Sequence, residues 1–197
     1  MDATQRENTK NYFLKKMKSV RENIRERLAE RAVDNMSRYY GLLYSTGEKG
    51  MEDLVAAIHA STFTTSPSGR HHRYPSGTME HCLGVYKLMS QKAADLREKG
   101  YEIRESDVIL VALLHDVGNG RSGEWLSYKG HGLRGKSIVE RYLPEVSPQV
   151  LDAICLHMHT VETDNVLQKL VRSVDWVDAA TCSRGRVRLS DTEVCML

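Results

Sequence analysis

The segment ALLHDVGN, residues 112–119, ends a strongly apolar run with an imidazole, His115, and a carboxylate, Asp116, side by side. Burying both at the end of a core helix without partners is costly, so something must compensate them. A divalent cation does so directly: nitrogen and oxygen ligands suit Mn, Fe, Zn or Co, and the ion favours neutral His and ionised Asp. A lone His-Asp pair also fits a helix end with a hydrogen-bonded His, so its company decides. His81 lies one turn into a segment whose apolar positions Met79, Cys82, Val85, Leu88 and Met89 mark a core-facing side. Asp175 lies within SVDWVDAA, where Val171, Val174 and Val177 face inward. His131 opens a further helical segment, and His157 closes another three residues after Ile154. Ionisable groups near apolar faces of separate helices are what a metal site at a bundle centre requires.

The elements that must position these groups read as helices. Periodicity of 3.6 residues dominates, and convincing strand alternation, internal repeats and low-complexity tracts are absent. Phe13, Met17, Val20, Ile24 and Leu28 recur at three- and four-residue steps on an otherwise charged N-terminal helix, followed by an apolar stretch from Ala32 to Tyr44. So narrow a stripe packs on the domain body or pairs two subunits, which leaves a homodimer open. The Ser-, Thr-, Pro- and Gly-rich stretch Ser61 to Ser76 reads as a loop. It leads into a helix from near Ser76 to before Gly100, then one capped near Ser106 that breaks at Gly118. A helix from about His131 stops at Pro144. Ser147 and Pro148 open the next, which frays near His159, and the last spans about Asn165 to Thr181. The expected division is an N-terminal helical extension at 1–50, a catalytic domain at 51–182 and a short basic tail at 183–197.

Composition sets the outer limits. The 197 residues suffice for one domain plus an appendage. With 28 Lys+Arg against 26 Asp+Glu, the chain as a whole is no electrostatic magnet for nucleic acid. Basic bias is confined to residues 1–31 and to Arg184, Arg186 and Arg188, better read as a solvated helix face and a loose end. The four cysteines, Cys82, Cys155, Cys182 and Cys195, form no CxxC pair, which argues against a disulfide framework or a zinc-thiolate site. No apolar run is long enough for a membrane span, and the expected location is the cytosol.

The order His81, His115-Asp116, Asp175 resembles the H…HD…D pattern of the HD superfamily of metal-dependent phosphohydrolases. The entry segment HHRYPSGTMEH, residues 71–81, resembles an HHxYxGGxxEH element of HD domains of bacterial 3′→5′ exoribonuclease type and of conjugative-transfer proteins. The resemblance runs from about Phe63 to Ala180. It implies an all-α HD-type helical bundle, with His81, His115, Asp116 and Asp175 holding a metal and His115 and Asp116 at the catalytic centre. His131 and His157 match the extra histidines of two-metal members, where Asp116 is shared between the ions. Three departures stand out. Asn119 replaces the Lys of HDxGK, and His157-Met158-His159 replaces a tandem His-His, so only one of these two rings faces the site. Ser76 replaces a Gly, and serine also caps helices. Asp178, one turn after Asp175, is a candidate partner for a ligand or a helix-face carboxylate rather than a ligand itself.

One or two divalent ions (Mn, Fe, Mg, Co or Zn) so held, with positions open to water, acidify that water; the resulting hydroxide can attack phosphorus. The expected reaction is hydrolysis of a phosphomonoester or phosphodiester. The entry segment points to a nucleotide or short oligonucleotide, with nucleic acid a further candidate partner. Arg70, His72 and Arg73, then Arg134 and Lys136, are the candidate receptors for substrate charge. His71 and Tyr74 read as loop-anchoring groups. Two other classes compete: a mixed-valent di-iron oxygenase using the same ligands, and a non-catalytic module that binds a nucleotide or a partner.

Overall fold

The structure is a computed structural model that describes residues 3–66, 71–72, 74–121, 130–160, 162–182, 186–188 and 193–195. The fold is all-α. Its helices are α1 (Ala3–Ser45), α2 (Met51–Ala60), α3 (Gly77–Glu98), α4 (Glu105–Leu114), α5 (His131–Tyr142), α6 (Pro148–Leu156) and α7 (Val166–Cys182). Short 3-10 turns at Thr62–Thr64 and Val117–Asn119 follow α2 and α4. Among the described residues no helix is long and apolar enough to cross a membrane.

The centre is α4. From Val108 to Leu114 every side chain is buried, so beyond its first turn this helix has no solvent face. A helix whose last seven residues, Val108 to Leu114, are all apolar is stable only when that part is surrounded, and α1, α3, α6 and α7 pack around it. Ser147 caps α6 by accepting from the Val150 N–H, with Pro148 at the first helical position, as expected from those two residues.

Two expected segments at the N-terminus form one helix. α1 runs unbroken for 43 residues, roughly 65 Å at about 1.5 Å per residue. Its halves differ. Met17, Val20 and Ile24 are exposed and Leu28 is half-buried, so in the single chain the stripe does not pack on the domain body. Asn35, Tyr39 and Leu43 are buried, the last two completely, in the core shared with α4. The Tyr39 hydroxyl donates to the Leu113 carbonyl at 2.5 Å, two residues before His115. Arg31 forms a two-pronged ion pair with Glu80, which also accepts from Asn35. The inner half of α1 thus braces α4 just before the His-Asp motif and α3 beside His81, although it was expected to lie in a separate extension.

The loop after α2 is stitched in two directions. Thr62 exchanges hydrogen bonds with Arg121, and the Ser66 carbonyl accepts from both the backbone N–H and the hydroxyl of Thr78. Ser76 occupies the N-cap position of α3 but does not cap with its side chain. It sits in the left-handed region (φ 64°), makes no side-chain capping bond, and donates its hydroxyl back to the Thr64 carbonyl. A glycine is unstrained in that conformation; the serine is held there by its tether to the loop.

The expected basic tail carries a small antiparallel hairpin, β1 (Arg186–Arg188) paired with β2 (Glu193–Cys195), with Val187 opposite Val194. Strands of three residues are too short for alternation to show.

Candidate metal centre

Six side chains from five elements converge beside α4. His115 caps the C-terminus of α4, and Asp116 follows it at the head of the Val117–Asn119 turn. His81 comes from the first turns of α3, His131 is the first residue of α5, His157 caps the C-terminus of α6, and Asp175 lies within α7. His81, His115, Asp116 and His157 are buried.

Two helix ends use one device. The last carbonyls of a helix lack intrahelical donors. The His115 Nδ1–H donates to the Ala112 carbonyl at 2.9 Å, and the His157 Nδ1–H donates to the Ile154 carbonyl at 2.8 Å. Each ring is locked by its own helix, with Nε2 left to face the centre. His81 is locked by a carboxylate: its Nδ1–H donates to Asp178 Oδ2 at 2.7 Å. Gly84 makes that possible, since a Cβ there would lie 2.1 Å from Asp178 Oδ1. Gly118 does the same for His131, because a Cβ on it would come within 2.0 Å of the His131 carbonyl at the start of α5.

The Nε2 atoms meet in pairs, His81 with His115 at 3.3 Å and His131 with His157 at 3.0 Å. Asp116 stands between the pairs. Its Oδ2 lies 3.9 Å from His81 and 3.8 Å from His115, while its Oδ1 lies 3.4 Å from His131 and 3.8 Å from His157. Asp175 Oδ1 approaches His81 Nε2 at 3.0 Å. His81, His115 and Asp175, and likewise His115, Asp116 and His157, each offer one ligand atom within 4.8 Å of the others. Facing Nε2 lone pairs need a proton or a cation between them, and neutral imidazoles with carboxylates are the donor set that divalent metals take. The residues present fit such an ion.

The electrostatics agree with a site built for positive charge. Burial disfavours ionised carboxylates, yet the surrounding histidines hold Asp116 and Asp175 below the ordinary carboxylate range, Asp175 chiefly through its hydrogen bond with His81. Burial pushes His81 down, but Asp175 and Asp178 outweigh it and raise its pKa to about 10. Burial dominates at His157 and lowers it to about 4.

Of the predicted receptors for substrate charge, the three that are described, His72, Arg134 and Lys136, are engaged by other groups. Arg70 and Arg73 fall outside the described residues. His72 is buried, with Nε2 3.7 Å from Asp178 Oδ2 and a pKa lowered by burial to about 4, so it backs the His81–Asp178 pair. Arg134 donates to the Gly118 carbonyl at 2.7 Å, and Lys136 is paired with Asp152 at 3.1 Å. Neither lines the cavity over the cluster. That cavity, about 910 Å³, is lined by His71, Asp116, Asn119, Arg121, His131, His157, Met158, Arg172, Asp175, Trp176, Ala179, Thr62 and Ser66. Its size falls within the range of small-molecule sites. The sequence reading missed Arg121, Arg172 and Trp176. The last two were there to be found by reading α7 outward from Asp175, because residues 172, 175, 176 and 179 share one helical face.

The family model for the HD domain matches residues 78–180, more than half of the chain, and that span holds all six converging residues. No solved structure matches the chain. HD domains bind divalent metals, and the buried His/Asp groups could hold one.

Proposed function

The chain belongs to the HD domain family, and from that premise we propose that it is a metal-dependent phosphohydrolase of a phosphomonoester or phosphodiester, with a nucleotide or short oligonucleotide as substrate. Family members are in general metal-dependent phosphohydrolases. The observation that carries the reading is Asp116, whose two carboxylate oxygens each face a different pair of imidazoles. On this reading His81, His115, Asp116 and Asp175 hold one ion, and His131 and His157 share Asp116 in holding a second. Bound there, a divalent cation of the Mn, Fe, Mg, Co or Zn type supplies Lewis acidity toward water and toward phosphate oxygens.

The chain's own groups do the rest. His115 and His157 keep their Nε2 atoms aimed inward because their Nδ1–H groups are tied to helix carbonyls. Asp178, partly buried beside the buried His72, orients His81. The open side lies toward α7 and Arg121, where an ester enters over Asp175 and His131. The choice of a nucleotide is supported by the likeness of the entry segment at 71–81 to HD domains that act on nucleic acid.

The test is phosphate release from nucleoside monophosphates and dinucleotides under Mn, Mg and Fe. Turnover by the wild type that disappears in Asp116→Ala is expected. A wild type inert with all three metals overturns the reading. The convergence of His131 and His157 on Asp116 also suits a mixed-valent di-iron oxygenase, so oxygen uptake by the iron-loaded protein is followed in the same samples; oxygen-dependent turnover without phosphate release would put that reading in its place.

A further inference from the structure

The part of the cavity lined by α7 has its own chemistry. Arg172, Asp175, Trp176 and Ala179 occupy one face of α7 and line the cavity together. Asp175 is engaged with His81. Arg172 one turn earlier and Trp176 beside it are both exposed, Trp176 at 73%. Trp176 thus leaves most of its indole uncovered at the rim of the cavity. Arg121, which lines the same cavity, is exposed while its backbone is fixed by the hydrogen bonds exchanged with Thr62.

Charge says what this wall is for. Among the described residues neither the Arg121 nor the Arg172 guanidinium has a carboxylate partner. The carboxylates lining the cavity, Asp116 and Asp175, are both turned to imidazoles. Two guanidinium groups at the mouth of a site, with no carboxylate partner among the described residues, suit an anion, and guanidinium geometry matches phosphate oxygens. An indole beside them offers a stacking face for a planar ring. An anion and a planar ring in one small molecule describe a nucleotide.

We propose that Arg121, Arg172 and Trp176 form the nucleotide-recognition wall of this site, the two arginines taking a phosphate and Trp176 stacking on a single base. The proposal rests on the phosphohydrolase reading for its substrate class, and replaces Arg134 and Lys136 as receptors of substrate charge. One indole serves one base, so the ligand is a mononucleotide unit.

The experiment is equilibrium binding of AMP, adenosine and ribose 5-phosphate to the protein as purified, repeated after chelation of divalent ions, with free phosphate assayed in the same samples. AMP is expected to bind roughly ten-fold or more tightly than ribose 5-phosphate, the size of one base stacked on an aromatic ring. Trp176→Ala should bring that ratio to about one, and Trp176→Phe should keep part of it. Arg172→Ala should weaken AMP and ribose 5-phosphate together, several-fold, while leaving their ratio. Because these side chains are exposed, the variants fold. Equal binding of AMP and ribose 5-phosphate by the wild type, no binding of either, or an AMP affinity unchanged in Trp176→Ala overturns the wall. The phosphate assay separates the two readings: AMP bound through Trp176 without cleavage under any metal sinks the hydrolase and leaves the wall, whereas cleavage indifferent to Trp176 does the reverse.

Discussion

At the floor of the cavity, three imidazoles are each fixed by a second group: His81 by Asp178, His115 by the Ala112 carbonyl and His157 by the Ile154 carbonyl. At its mouth, Arg121, Arg172 and Trp176 are exposed and hold no such side-chain tether among the described residues. The floor is buried and built from ends and first turns of helices packed on α4; the mouth is one face of α7 and the segment after the Val117–Asn119 turn. The difference follows from what each must hold. An ion tolerates little error in the direction of its donors, so rings must be locked before it arrives. A flexible organic anion can be met by side chains that adjust.

Substitutions at the floor should therefore cost metal and fold, and those at the mouth should cost neither. The largest effect is expected at Asp116, which faces all four histidines. Asp116→Ala should drop both metal content, read by elemental analysis, and phosphate release to background. Next comes Asp178→Asn, which frees the His81 ring without removing a ligand. Loss of such an orienting carboxylate weakens metal binding by about 10- to 100-fold, measurable by titration against a chelating indicator. Gly84→Ala sharpens the point: its Cβ would collide with Asp178, so it should weaken metal binding in the same range although it carries no chemistry.

Smaller effects are expected farther out. Tyr39→Phe removes the hydroxyl that anchors α1 to the Leu113 carbonyl. The cost should be about 1 kcal/mol, or a fall in Tm of roughly 2–4 °C for a chain of this size, read by thermal denaturation. Trp176→Ala, at the mouth, should leave stability within about 0.5 kcal/mol of wild type, as exposed substitutions do. A Trp176→Ala protein that melts several degrees early would break the comparison, because the indole would then be a packing group.

The floor was legible in the sequence and the mouth was not. His115-Asp116 at the end of an apolar run needed compensation but fitted a plain helix end as well, and it was the company of His81, His131, His157 and Asp175, with the resemblance to the H…HD…D pattern, that marked it as a metal-site candidate. His81 and Asp175 follow from their places on apolar helical faces. Arg134 and Lys136 were candidate receptors by charge, but sequence does not tell which side of α5 a residue occupies, and both proved engaged elsewhere. Arg172 and Trp176 lie on α7 with nothing in their types to set them apart until Asp175 fixes which face is inward. The continuity of α1 escaped the pattern because its stripe faces solvent in one half and the core in the other, so the periodicity changes partner midway. Its inner half belongs with the core it braces through Tyr39, Leu43 and Arg31.

The sharing of Asp116 between two imidazole pairs is the centre of the account, and metal stoichiometry tests it most directly. Purified chain saturated with Mn or Fe, desalted and analysed for metal per chain, should carry two ions in the wild type and one in His131→Ala, with His81, His115, Asp116 and Asp175 keeping theirs. A wild type that binds no divalent ion, or a His131→Ala variant with the same metal content as the wild type, would contradict it.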